Sequence, residues 1–280
     1  MQYANLHLHS TFSDAGFTPG QLVKIGKALG YGALALTDHE TDGGCASFMR
    51  ACEREGLRSV NGVEFYGTYG SWTFHLTALD FDPNEPGIRA FIDNRVELMN
   101  SYTRMCVEKG LERGYIEGIT WDDILFYTAP GSWIGTDSLL KALELKKAMP
   151  EQGGAYVRQM VMRDPELMQL KPKSPTAEEV IKVVRKAGGV IALAHPSPNG
   201  ITCVEQLVDW GMNGIETNHP GIRPEVQPLA EEAAKKFNLY NCGGTDHTGP
   251  MSCCGGKYAI PVFNGITEEQ FDILVERRLG

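Results

Sequence analysis

The sequence predicts an α/β fold of repeated βα units with a helical segment set into it. Three features carry that prediction. Short apolar runs of strand length recur along the chain, several ending in a histidine or a carboxylate. Capped, amphipathic segments of helical period lie between them. Between about Pro83 and Lys173 the strand signal vanishes and only helical patterns remain.

The first strand is Asn5-Leu6-His7-Leu8-His9-Ser10, followed shortly by Asp14. Alternation puts Asn5, His7 and His9 on one face and Ala4, Leu6 and Leu8 on the other. The apolar face reads as core, and the other face presents two imidazoles one strand repeat apart, close enough to share a cation. Thr18-Pro19 then supplies a cap and a proline at the first helical position. Gln21 to Leu29 carries apolar residues at helical spacing, and Gly30 stops it. Ala33-Leu34-Ala35-Leu36 reads as a buried strand ending in Thr37-Asp38-His39. A helix follows over Gly44–Glu55, and a strand near Ser59–Val63 delivers Glu64. Phe74–Leu79, which contains His75, reads as a further strand.

Ile88–Lys109 reads as an amphipathic helix, with shorter ones at Trp121–Leu125 and Ser138–Lys147; Pro172 and Pro175 close the stretch. The chain is thus expected to divide into a βα part, 1–82 and 174–280, and a helical insertion, 83–173. The insertion would stand over one end of the sheet as a cap or lid, with a packed subdomain lacking a catalytic part as the alternative. Beyond it, Thr176-Ala177-Glu178-Glu179 is a capping box opening a helix that ends at Gly188-Gly189. Val190–Ala194 reads as a strand delivering His195-Pro196, and Gly214–Asn218 as another with His219 just past its end. Glu225–Phe237 is helical, Leu239–Cys242 is a strand leading through Gly243-Gly244-Thr245 to Asp246-His247, and Glu268–Arg278 is the closing helix.

Composition narrows the function. A length of 280 residues, 42% hydrophobic and 22% charged, suits a globular chain with a large core and not a disordered one. The net charge of −9 disfavours long nucleic acid and anionic membrane surfaces as partners. It leaves a small anionic substrate open, because metal ions supply local positive charge. No run reaches the roughly 18 apolar residues of a membrane span, and no signal-peptide pattern is seen. Seven cysteines, an odd number, read as reduced thiols of a cytoplasmic protein. Cys253-Cys254 reads as structural or incidental and not as a metal site.

All seven histidines fall in or just beyond the C-terminal part of a predicted strand, as do Asp38, Glu64 and Asp246. In a βα barrel such ends converge on one face, where active sites are built. Imidazole and oxygen ligands with little thiolate suit Zn, Mn or Fe in a hydrolytic site. The set exceeds the needs of a single ion, whereas two or three ions sharing a bridging carboxylate would use it.

Taken in order, His7-Leu8-His9-Ser10, Thr37-Asp38-His39, Gly62-Val63-Glu64, Ala194-His195-Pro196 and Gly244-Thr245-Asp246-His247 resemble the motifs of the polymerase and histidinol phosphatase (PHP) family. The resemblance covers about residues 1–80 and 175–280 and leaves out the insertion. It implies a distorted (β/α)7 TIM-like barrel carrying a trinuclear metal site for phosphoester hydrolysis. It further implies one ion on His7, His9, Glu64 and Asp246, a second on Glu64, His75 and His195, and a third on Asp14, His39 and His247. Asp38 would orient an imidazole or the bound water. Small-molecule phosphatases of the family open this insertion with an Arg-Pro-His type segment. Here the region reads Gly131-Ser132-Trp133-Ile134-Gly135-Thr136-Asp137, so the contacts that choose a substrate are expected to differ.

The expected activity is that of a cytoplasmic hydrolase using about two to three divalent ions (Mn, Fe or Zn) and a metal-bound hydroxide. Its substrate would be a phosphomonoester of a nucleotide or sugar, a small cyclic phosphodiester, or both. His219 and Arg223, after the strand bearing Glu216, and Arg158 of the insertion are the expected phosphate contacts. His219 is also the expected general acid to the leaving oxygen, with Glu216 orienting it or touching a substrate hydroxyl. A carbon–nitrogen amidohydrolase on a similar metal barrel and a non-catalytic PHP binding module are the alternatives; the complete ligand set argues against the second. Lacking a basic or aromatic-rich track, the chain is not expected to act on long nucleic acid.

Overall fold

Alternation in the first segment comes out as the pattern requires. Ala4, Leu6 and Leu8 are buried in apolar clusters, while His7 and His9 are buried on the opposite face. The structure is a computed structural model and describes residues 2–248 and 264–279. Three short strands, β1 (Ala4–Asn5), β2 (Ala33–Ala35) and β3 (Arg58–Val60), form a parallel sheet in that order. They are joined by α1 (Pro19–Ala28), which has the expected cap at Thr18, and by α2 (Cys45–Glu55). A second sheet runs β4 (Gly62–Tyr69), β5 (Trp72–Leu79), β6 (Val190–Leu193), β7 (Gly214–Asn218) and β8 (Tyr240–Gly243). In it, β4–β5 and β5–β6 are antiparallel, and β6–β7 and β7–β8 are parallel.

Two sequence expectations change here. The single strand expected over Ser59–Val63 is broken at Asn61. The Asn61 side chain donates to the Phe81 carbonyl at 2.9 Å and accepts from the Phe81 N–H at 3.2 Å. The residues on either side of it therefore join different sheets. The strands also do not close into one barrel ladder among the described residues. The two sheets meet at single parallel bridges, Leu8–His247 and His39–Glu64. They nevertheless share a core, with Ala4, Leu6, Ala33 and Val60 from one packing with Leu79, Ala192 and Tyr240 from the other. Regular pairing stops where the backbone turns left-handed at non-glycine residues: Glu40 (φ 57°), His195 (φ 27°) and Asp246 (φ 50°). Each such turn costs on the order of 1–3 kcal/mol and persists only where its surroundings hold it.

The segment 83–173 is helical, as its pattern predicts. It comprises α3 (Pro86–Glu112), α4 (Trp121–Phe126), α5 (Thr136–Leu145), α6 (Gly153–Val157), a π-helical turn at Arg158–Met162 and α7 (Pro165–Met168). It has an apolar core of its own, built from Tyr102, Cys106, Val107, Leu139, Leu143 and Val161 among others. Helix α3 belongs to both parts of the molecule. Ile88 and Ile92 near its start pack with Val180 and Ile181 in the main core, and its second half lines the insertion core. After it come α8 (Ala177–Lys186), opened by the expected Thr176–Glu179 capping box, α10 (Gln227–Lys236) and α11 (Glu268–Val275). Between them, α9 (Pro198–Asp209) was not anticipated, although Ser197 caps it and Cys203, Val204 and Leu207 are its apolar face.

No helix among the described residues is long and apolar enough to cross a membrane. Cys45, Cys52, Cys106, Cys203 and Cys242 are free and buried; Cys253 and Cys254 lie outside the described residues.

The end of β8 approaches the first strand closely enough to require glycine. A Cβ on Gly244 would lie 2.4 Å from the His7 nitrogen and 2.5 Å from Asn5 Oδ1. Gly244→Ala is expected to lower the unfolding free energy by about 1–3 kcal/mol, read from denaturant melts, because rigid backbone has to move.

Candidate metal centre

Glu64 is the point on which the chemistry-bearing residues converge. Its carboxylate is buried, and its two oxygens face different imidazoles. Oε1 lies 3.3 Å from His7 Nε2, 2.9 Å from His75 Nδ1 and 3.1 Å from His195 Nε2. Oε2 lies 3.3 Å from His9 Nε2 and 3.0 Å from His39 Nδ1. Two more carboxylates flank this set. Asp246 Oδ1 is 3.0 Å from His9 Nε2 and 3.7 Å from His7 Nε2, and Asp14 is 3.5 Å from His9 Nδ1 and 3.7 Å from His39 Nε2. Ligand atoms within 4.8 Å of one another form four overlapping groups: His7-His9-Glu64-Asp246, His39-Glu64-His75, His9-Asp14-His39 and His7-Glu216-His219.

The first group has the ligands expected for one ion; the others cut across the expected sets. His247 joins none of them. Its carbonyl accepts from the His9 N–H at 3.2 Å, and its ring stacks on Phe17 at 5.5 Å. The rule that every ligand sits at a C-terminal strand end also fails. Glu64 is the third residue of β4, and His75 is the fourth of β5, which runs antiparallel to its neighbours.

Hydrogen bonds fix which nitrogens offer lone pairs. Glu216 faces inward from β7, beside a register shift between Glu216 and Asn218. Its Oε1 accepts from His7 Nδ1 at 2.7 Å, and its Oε2 accepts from the His195 N–H at 2.6 Å. A carboxylate on Nδ1 draws the proton there and leaves the Nε2 lone pair of His7 aimed at Glu64 and Asp246. His219 has the opposite tautomer: its Nδ1 accepts from the Gly221 N–H at 2.9 Å, so Nε2 carries the proton. That nitrogen lies 3.8 Å from Asp246 Oδ2 and 4.0 Å from Glu216 Oε2. Within the His7-Glu216-His219 group, His7 and Glu216 are joined by a hydrogen bond, and His219 presents a donor where an ion needs a lone pair.

Asp38 does not approach an imidazole by hydrogen bond. It accepts from the Ser10 N–H (2.7 Å), the Ser10 hydroxyl (2.6 Å) and the Ser13 hydroxyl, and so shapes the loop that carries Asp14. Arg223 is exposed at the surface, 3.7 Å from Glu225, and Arg158 begins the π-helical turn; no hydrogen bond or ion pair among the described residues joins either side chain to the cluster. Aromatic residues that spacing did not single out wall the His39 side. Tyr66 stacks on His39 at 5.1 Å and meets His75 edge-on at 4.6 Å, and Trp133 lies 5.8 Å from His39. Tyr66 was within reach of the pattern, since it lies two residues beyond Glu64 on the same face of β4.

A family model for the PHP domain matches residues 5–119. That match spans the part of the chain carrying His7, His9, Asp14, His39, Glu64 and His75. The chain is similar to a 3',5'-nucleoside bisphosphate phosphatase of Chromobacterium violaceum, 26% identical over 89% of this chain and 88% of that one. It is similar to a phosphoribosyl 1,2-cyclic phosphate 1,2-diphosphodiesterase of Eggerthella lenta, 25% identical over 88% and 94%. A 5'-3' exoribonuclease of Haemophilus influenzae is 27% identical over 90% of each chain. Among solved structures, a candidate metal-dependent phosphoesterase from Bifidobacterium adolescentis superposes with a TM-score of 0.82 at 26% identity, over 99% of this chain and 96% of that one.

The donor set of this site fits divalent cations. His39 Nδ1 and Glu64 Oε2 are 3.0 Å apart, yet both are buried without a hydrogen-bond partner, as is His9 Nδ1. Buried polar atoms without partners are rare, and lone pairs converging on shared points are what a bound cation satisfies.

The cluster's own charges set its proton occupancy. Burial opposes charge on His7, but Glu216, Glu64 and Asp246 outweigh it and hold the imidazole well above its usual range. Asp246 and Glu64 do the same for His9 against burial; Glu64 and Asp14 raise His39, and Glu64 raises His195, again against burial. In turn, and again against burial, His75, His7 and His39 hold Glu64 well below the carboxylate range, and His7 and His9 hold Asp246 low. Burial pushes His75 down, and pushes His219 down to about 4. A cation entering the cluster must therefore displace protons from the raised imidazoles. Titration with Mn2+ or Zn2+ is expected to release protons into a weak buffer, with apparent affinity rising from about pH 6 to pH 8. A pH-independent affinity would contradict that charge assignment.

Proposed function

We propose that the protein is a metal-dependent phosphoester hydrolase acting on a small organic phosphate. The substrate is a phosphomonoester of a nucleotide or sugar, a small cyclic phosphodiester, or a cyclic ester opened and then dephosphorylated. The observation that carries this reading is one buried carboxylate, Glu64, facing five imidazoles, with Asp14 and Asp246 beside them. The bisphosphate phosphatase and cyclic phosphodiesterase named among the relatives support the substrate class.

His7, His9, Glu64 and Asp246 would hold one ion, Glu64 with His75 and His195 a second, and Asp14 with His39 a third, to which His247 is the remaining candidate. Bound there, such ions lower the pKa of water and neutralise charge on the phosphoryl group. The chain's own residues do the rest. Glu216 fixes the His7 tautomer. Neutral His219 offers its Nε2–H to a phosphoryl or leaving oxygen. With its pKa pushed down to about 4, it serves better as a hydrogen-bond donor than as the proton-giving acid expected from sequence.

His75 and His195 have side chains 30% and 25% exposed, against 0% for His7 and His9, so the substrate approaches across β5 and β6. Tyr66 and Trp133 bound the entry on the His39 side and leave a flat organic group something to lie against. The free, buried cysteines suit a reducing cytoplasm.

The test is phosphate release from nucleotide and sugar monoesters, cyclic ribose and nucleoside phosphates, and short 5'-phosphorylated RNA, with amides alongside. Turnover of a small ester that is lost on chelation and restored by Mn, Fe or Zn is the expected result. Turnover of amides alone, or inert metal-loaded protein, would reject the reading. Preference for RNA would move the substrate toward that of the exoribonuclease relative. Within this scheme His219→Ala is expected to lower kcat about 100- to 1,000-fold while metal content stays unchanged.

A further inference from the structure

The mechanism leaves unused a buried ion pair that joins the helical insertion to the metal cluster. Arg95, near the middle of α3 and 5% exposed, donates through Nε to Glu40 Oε2. Its Nη1 donates to the Lys173 carbonyl at 3.2 Å. Glu40 directly follows His39, is 0% exposed and holds a left-handed backbone at φ 57°. Its Oε1 accepts from the Tyr66 N–H at 2.8 Å, and its own N–H donates to the Glu64 carbonyl at 2.9 Å. Glu40 thus ties α3 to the β4 backbone at Tyr66 through its side chain, and its own backbone is tied to Glu64.

A buried carboxylate in a strained turn is costly unless a cation neutralises it. Arg95 is that cation. The same helix grips neighbouring pieces of the site. Arg89 Nη1 binds Asp42 at 2.8 Å, and the Asn100 side chain bonds the Ser132 carbonyl (3.0 Å) and the Ile134 N–H (2.7 Å), the residues on either side of Trp133.

We propose that Arg95, acting through Glu40, is a positioning residue for His39, which makes the insertion a structural part of the metal centre and not a cap hinged above it. The proposal rests on the metal-centre reading, but its readout is metal binding and not turnover. Mn2+ or Zn2+ is titrated calorimetrically into the chelator-stripped full chain, and metal per chain is counted after gel filtration. Arg95→Met and Glu40→Gln are each expected to weaken the ion at His39 about 10- to 100-fold. The ion on His7, His9 and Asp246 should keep its affinity.

If Arg95 acts through Glu40, the double variant is no weaker than the weaker single one. Arg95→Lys, which keeps the charge and loses the fork, should recover part of the loss. Glu40→Gln is nearly isosteric and carries the test if Arg95→Met does not fold. Leu143→Ala, in the insertion core away from this pair, is the control: it should lower Tm and leave metal affinity alone. Unchanged affinity in both Arg95→Met and Glu40→Gln, or an equal loss in Leu143→Ala, overturns the proposal while leaving the metal centre intact. A wild-type chain that binds no ion would overturn both.

Discussion

A carboxylate taken out of water must be neutralised, and the arrangement around Glu64 follows from that requirement. Burial alone would leave its charge strongly disfavoured, yet the surrounding imidazoles keep it ionised. Those imidazoles arrive from separate parts of the chain: the segment after β1, the loop after β2, strand β5 and the turn after β6. Each approaches within 3.3 Å. Much of the local backbone serves that approach. The left-handed turns at Glu40, His195 and Asp246, and the glycine contact at Gly244, are the places where the chain departs from regular pairing to bring a side chain inward.

The histidine and carboxylate positions were legible in the sequence because strand alternation is a strict period. His7 and His9 could only face one way if Ala4, Leu6 and Leu8 were core. The helices were legible for the same reason, with the Thr18 and Thr176 caps marking their starts. What the sequence concealed was sheet membership. Nothing in Ser59–Val63 announces that Asn61 will turn its amide to Phe81 and split the strand. Nor does anything local in Phe74–Leu79 say that this strand runs antiparallel. Partners more than ten residues away decide both.

The roles of individual polar residues were less legible than their presence. Asp38 and Glu216 are both acidic, buried and near histidines, but one bonds serines of the Asp14 loop and the other fixes an imidazole tautomer. His219 reads from sequence as an acid; the Gly221 N–H on its Nδ1, together with burial, makes it a neutral donor. A hydrogen bond to one ring nitrogen is a property of three-dimensional packing, and no spacing rule encodes it.

The double membership of α3 bears on how such a chain can change by recombination. A segment bounded at its first and last helical residues looks like a cassette, exchangeable between related chains. Yet Ile88 and Ile92 are buried in the main core, and each contributes roughly 1.5–3 kcal/mol that an excision at residue 83 would remove. The junction that leaves both cores whole lies inside the helix, past the residues that face α8. Exchange of the distal helices alone, from the Tyr102 end onward, would replace the insertion core and leave the main one filled. Divergence among chains of this architecture has its least costly route there.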